Sequence, residues 1–239
     1  MGGGVDDYPT QFNDKLNRVD KKSQELHKAV SHALDWIPNP TVRNAIISSW
    51  NWFVQKMEDL WNLLKEIVEN MGSPGRLEDV ANAWSKQVGG PVSSQSQNAT
   101  AGAVMVDDTW TGTAADQYKE KLPLQASALA AVRTAISATV STVLKDLRTA
   151  VIIFWGGLGT AILALVVGLV MATAATGTII GAPAGVVAAV VAVVTAITAI
   201  TVGTWNLESA ASGANITLTS ALNARESFQD GHWPTFAIA

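Results

Sequence analysis

The sequence predicts an all-α protein: an elongated bundle of long helices, with an apolar helical hairpin near its C-terminal end. Three observations predict it. Apolar residues recur three and four apart through most of the first 150 positions, the period of one helix face. Segments with the alternating pattern of a half-buried strand are missing. And the 59 positions 149–207 carry no charge, being almost wholly Ala, Val, Ile, Leu, Gly and Thr.

The first helix is marked by Phe12, Leu16, Val19, Leu26, Val30 and Ile37. Pro38-Asn39-Pro40 cannot continue it and predicts a tight turn. The second helix, Val42–Met71, has the clearest pattern. Ile46, Trp50, Phe53, Met57, Leu60, Leu64, Ile67 and Met71 alternate four and three apart, a heptad seam. A flanking row, Ile47, Val54, Trp61 and Val68, predicts a wider core-facing stripe. This helix would be ~45 Å long at 1.5 Å per residue. Residues 1–72 therefore read as an antiparallel helical hairpin.

Gly72-Ser73-Pro74-Gly75 breaks the chain, and Leu77, Val80, Ala81, Trp84 and Val88 begin a third helix. Gly89-Gly90-Pro91 is a site for a kink, and the helix is expected to continue through Ser93–Val106. Thr113 with Asp116 three residues later resembles a capping box. A fourth helix follows, with Leu129, Val132, Ile136, Val140, Val143 and Leu147 as its stripe. Residues 76–150 thus form a second helical hairpin.

The uncharged run is long enough for two membrane-crossing helices of about 20 residues each. Breakers concentrate in Thr176–Gly185, including Gly181 and Pro183, and place the turn there. Val151–Ala175 and Val186–Trp205 flank it. Trp155 and Trp205 sit at the outer ends, where interfacial aromatics belong. Gly156, Gly157, Gly159 and Gly168 permit close helix approach. The tip, with Ile179 and Ile180, has no charge to drag across a bilayer. Residues 151–205 therefore read as a membrane hairpin, the rival being the buried centre of a large soluble bundle. Residues 206–239 form an amphipathic tail, with a helix striped by Leu207, Ala211, Ala214, Leu218 and Leu222 and an irregular end from Gly231.

Trp110-Thr111-Gly112 stands between two helical patterns. Gly112 suits a backbone reversal that a Cβ would disfavour, and Trp110 is expected to plug the end of the helical pair with its indole N–H at the wet edge. Together with Leu77–Trp84 and Gly112–Tyr118, this turn resembles the Trp-X-Gly (WXG) superfamily of actinobacterial type over residues 76–150. The resemblance implies a helical hairpin exported by a type VII (ESX-like) secretion system, often within a four-helix bundle with a partner. It also implies an export signal, a Tyr followed four residues later by Asp or Glu. Here the residues four after Tyr8 and Tyr118 are Phe12 and Leu122, so the signal is absent: either a signal-bearing partner supplies it or the chain is not exported by this route. The fused N-terminal hairpin could act as the second half of such a bundle.

The remaining residues offer little chemistry. Net charge is −4, with no basic patch for nucleic acid. Without cysteine there is no disulfide, thiolate site or cysteine nucleophile. His27 and His32 lie five apart, poor spacing for one metal. The acidic pairs, such as Glu78-Asp79 and Asp107-Asp108, are adjacent and diverge on a helix. Gly156-Gly157-Leu158-Gly159-Thr160 lacks the lysine of a phosphate loop. No catalytic, metal or cofactor site is predicted. The first residues lack the basic-then-apolar pattern of a secretory signal peptide.

The expected function is that of a secreted or cell-envelope protein inserting an apolar hairpin into a lipid membrane, as a pore-forming or docking component of a type VII system. Its expected partners are the bilayer, the secretion machinery, and a WXG-type partner or second copy. Two alternatives stand beside it: a constitutive two-span protein displaying a helical bundle, and a soluble chaperone or adaptor of a secreted toxin with the hairpin buried at an interface.

Overall fold

The computed structural model describes residues 8–70, 72–100, 103, 109–178, 180–223, 228 and 232–234. It is an all-α helical bundle with four long helices, and no strand occurs among the described residues. In chain order the helices are α1 Tyr8–Trp36, α2 Pro40–Asn70, α3 Pro74–Ala83, α4 Gly90–Asn98, α5 Thr113–Ala131, α6 Ala138–Thr176 and α7 Ala182–Leu222. Two π-helical turns, Trp84–Gly89 and Val132–Ser137, join α3 to α4 and α5 to α6. The chain contacts form two compact units.

The first unit contains residues 1–73 and 151–208. It joins the N-terminal hairpin to the apolar hairpin, which the sequence pattern treats as separate segments. Asn39 turns the chain between α1 and α2: its Oδ1 accepts from the N–H groups of Thr41, at 2.9 Å, and Val42. That is an N-cap bond, and Pro40 follows at the first helical position, where a missing N–H costs nothing. Phe12, Val19, Leu26, Val30 and Ile37 are buried on α1, as are Ile46, Phe53, Met57, Leu60, Leu64 and Ile67 on α2. The flanking row behaves differently. Ile47, Val54 and Val68 are 40–47% exposed, so the core-facing stripe is narrower than the seam and its flanking row together predict. Met71 lies outside the described residues.

The second unit contains residues 74–150 and 209–239. Its two π-turns lie side by side. Ser137 Oγ donates to the Trp84 carbonyl at 2.8 Å, and Gly89 is buried against Ser137, whose Oγ would lie 2.8 Å from a Cβ at that glycine. A π-turn inserts one extra residue into the α ladder. This explains two departures from the expected pattern. Gly89-Gly90-Pro91 passes without a break, with Pro91 in the first turn of α4. And past this turn the buried face of the fourth helix shifts, so that Ser137 and Ser141 are buried while Ile136 and Val140 are only partly so; Val143 of the expected stripe is buried.

α4 ends at Asn98, short of the expected Val106; Val106, Asp107 and Asp108 lie outside the described residues. Arg148 and Glu78 join α6 to α3 by an ion pair of 3.0 Å. Gln125 accepts from the Trp233 indole and donates to the Pro234 carbonyl, holding a piece of the irregular tail. The tail helix is no separate element: α7 runs unbroken through Trp205 to Leu222.

Candidate functional site

The apolar hairpin is built from the C-terminal part of α6 and the N-terminal part of α7. Both helices are long and apolar enough to cross a membrane, with mean hydropathy of 2.4 and 2.5 in their most apolar stretches. One side of the hairpin is core. Phe154, Leu158, Ile162, Leu165 and Leu169 on α6 are buried, as are Val186, Val190, Val193 and Ile200 on α7. The other side is exposed and equally apolar, with Ile153, Val167 and Met171 on α6 and Val187, Val191 and Val202 on α7.

The glycines divide by role. Gly168 meets Ala192, whose Cβ would lie 2.6 Å from a Cβ at position 168, so α6 and α7 touch backbone-close there. Gly203, which the sequence pattern does not single out, packs on the Phe154 ring. Gly159 faces α1 instead: a Cβ there would lie 2.6 Å from Lys15 Nζ. Gly156 and Gly157 open to free space and serve no helix contact.

The two tryptophans also divide. Trp155 is only 7% exposed and meets Phe12 of α1 edge-on, with ring centroids 5.6 Å apart. It is a core residue of the first unit, not an interfacial one. Trp205 is 69% exposed. Phe12 and Lys15 are the contacts that sequence reasoning missed: a helical stripe shows which face is buried but not which distant helix covers it.

Several polar groups of the described tip are bonded within it. Thr176 is fully buried and its hydroxyl donates to the Ala172 carbonyl at 2.8 Å. Thr178 Oγ1 donates to the Ala175 carbonyl and accepts from the Gly181 N–H at 3.0 Å. The N–H groups of Ala182 and Gly185 donate to the carbonyls of Thr178 and Gly181 at 2.9 and 2.8 Å. Gly181 and Gly185 are required by close approach: a Cβ would meet the Ala175 carbonyl oxygen at 2.4 Å and Thr176 Oγ1 at 2.3 Å respectively. Pro183 lies in the first turn of α7, where its ring is tolerated. Ile180 projects outward, 95% exposed; Ile179 lies outside the described residues. Most threonines of the hairpin helices behave alike. Thr160, Thr173, Thr198, Thr201 and Thr204 each donate to the carbonyl four residues earlier, so those hydroxyl protons need no water; Thr195 is the exposed exception.

Comparison with family models, curated proteins and solved structures finds no match. The turn at Trp110-Thr111-Gly112 is therefore judged on its geometry. Gly112 has φ +104° and ψ 176°, a region reserved for glycine. It is itself the N-cap of α5, its carbonyl accepting from the Asp116 N–H at 3.1 Å. Thr113 is the first helical residue, so the expected capping box does not form. Trp110 is 43% exposed and lies against Tyr118, with centroids 5.3 Å apart; it covers the start of α5 instead of plugging a helix pair. His27 lies tilted over Trp50, and His32 meets Trp36 edge-on.

Nothing lies within 4 Å of a Cβ at Gly112, so substitution there meets backbone strain alone. Gly112→Ala and Gly112→Val are expected to cost about 1–3 kcal/mol each, with similar losses in urea denaturation. Two variants as stable as the parent would show that the turn relaxes to another conformation.

Proposed function

We propose that this chain is a secreted, WXG-like helical protein that inserts its apolar hairpin into a lipid bilayer. One observation carries the reading: a charge-free hairpin with an apolar outer face keeps most of its threonine hydroxyls, and several polar groups of its described tip, hydrogen-bonded internally. A segment that enters hydrocarbon must meet that condition, because no water is there to solvate an unpaired polar group. A soluble adaptor that buries the hairpin at a protein interface has no such need at an exposed tip. The insertion then acts as a pore or as a membrane dock.

Export through a type VII-like route rests on the Trp110-Thr111-Gly112 turn, with a signal-bearing partner supplying the missing tyrosine motif. The insertion reading is tested by flotation of the purified protein with liposomes carrying an entrapped dye. Co-flotation, with dye release for a pore or without it for a dock, is the expected result. Protein that stays at the bottom of the gradient over intact liposomes would overturn it.

A further inference from the structure

A groove of about 410 Å³ runs between α1 and α2 on the first unit. Val54 and Trp61, from the exposed heptad row, line its α2 side; Asp20, His27 and Lys28 line its α1 side. Ser23 Oγ is buried in the same groove without a hydrogen-bond partner. The row Ile47, Val54, Trp61, Val68 has the seven-residue spacing by which one helix seats another, yet three of its four members are exposed. The feature belongs to the amphipathic hairpin and does not depend on the membrane reading.

We propose that the groove receives α2 of a second copy of this chain, antiparallel to the first α2 about a two-fold axis at Trp61. The argument is charge complementarity. His27 lies tilted over Trp50, so in the antiparallel α1–α2 pair Asp20 stands level with Met57. An axis at Trp61 sets Val54 opposite Val68 of the second copy. It brings Lys65 of the second copy level with Asp20, and Glu69 of the second copy within about one turn of Lys28. Moving the axis by half a heptad, to pair Val54 with Trp61, puts Lys65 of the second copy beside Lys28 instead. That pairing is repulsive. Lys65 and Glu69 are free to exchange partners, their contact being a loose 3.9 Å on the surface where such pairs contribute little; Asp20 accepts from Gln24 of its own helix, which leaves its other oxygen for Lys65. A two-fold contact of this type is self-complementary and closed.

The chain has no cysteine, so single cysteines report the register of the full-length protein directly. Under mild oxidation Trp61→Cys is expected to give a covalent dimer. Val54→Cys and Val68→Cys alone are expected to stay monomeric, their own counterparts lying about 21 Å away along the helix. An equimolar mixture of those two is expected to cross-link. Lys65→Asp should lower the yield of the mixed cross-link about tenfold, and Asp20→Lys should restore it. Circular dichroism checks that each variant remains helical. Self-cross-linking at all three positions would mean a parallel pairing, and cross-linking at none would mean that lipid or another protein covers the groove; either result overturns the proposal.

Discussion

Lysines at positions 179 and 180 are expected to slow insertion of the hairpin into liposomes by about a hundredfold or more. A lysine near the membrane centre costs about 2.5–3.5 kcal/mol, and each 1.4 kcal/mol is a factor of ten in rate. Two charges at the tip must make that crossing together, and partial snorkelling returns some of the cost. The folded protein in water should not respond, because Ile180 is 95% exposed and packs on nothing. Ile180→Lys alone should show about half the effect in free energy. Dye release and flotation measure the insertion, and circular dichroism the fold. Unchanged insertion with unchanged folding would rule out passage of the tip through the bilayer. Unfolding or aggregation in water would instead mark the tip as part of a soluble core.

Trp155→Ala is expected to destabilise the first unit by about 3–5 kcal/mol, the cost of removing a large buried aromatic. Its ring is 7% exposed and meets Phe12 edge-on, so the substitution opens a cavity between α1 and α6. Trp155→Phe should recover most of the loss, since a smaller ring still reaches Phe12. Chemical denaturation followed by helical circular dichroism measures both. A hairpin that enters a bilayer must also give up its contact with α1. The alanine variant should therefore insert faster than the parent while being less stable in water. A variant that melts like the parent would show that Phe12 and Trp155 hold nothing together.

The helices were legible because their signals are local. The seam Ile46–Ile67 predicted a buried face and delivered one, and Pro38-Asn39-Pro40 predicted the turn that Asn39 caps. Gly112 was legible for the same reason: a glycine at a helix reversal asks for a conformation that side chains disfavour, and it has φ +104°. What failed is what depends on a distant partner or on an inserted residue. The row Ile47, Val54, Trp61, Val68 has a core pattern, but its cover is not in the described chain. Trp155 has the composition of an interface residue, yet Phe12, more than 140 positions away, buries it. The stripe through Ile136 and Val140 missed because the π-turn Val132–Ser137 shifts the phase of the helix, and no simple periodicity announces such a turn.

The threonine bonds at the tip have a consequence for how the hairpin could change phase. Ordinary loops borrow water for their carbonyl and amide groups, so transfer to hydrocarbon forces them to refold or to strand those groups. Here Thr176 and Thr178 tie up several polar groups of the described turn within a few residues. Those bonds are the same in either solvent. The cost of transfer then reduces to desolvating a surface that is already apolar, with little reorganisation of the backbone. A hairpin of this kind could move between water and lipid as a preformed piece, its kinetics set by release from its neighbours in the fold and not by folding at the membrane.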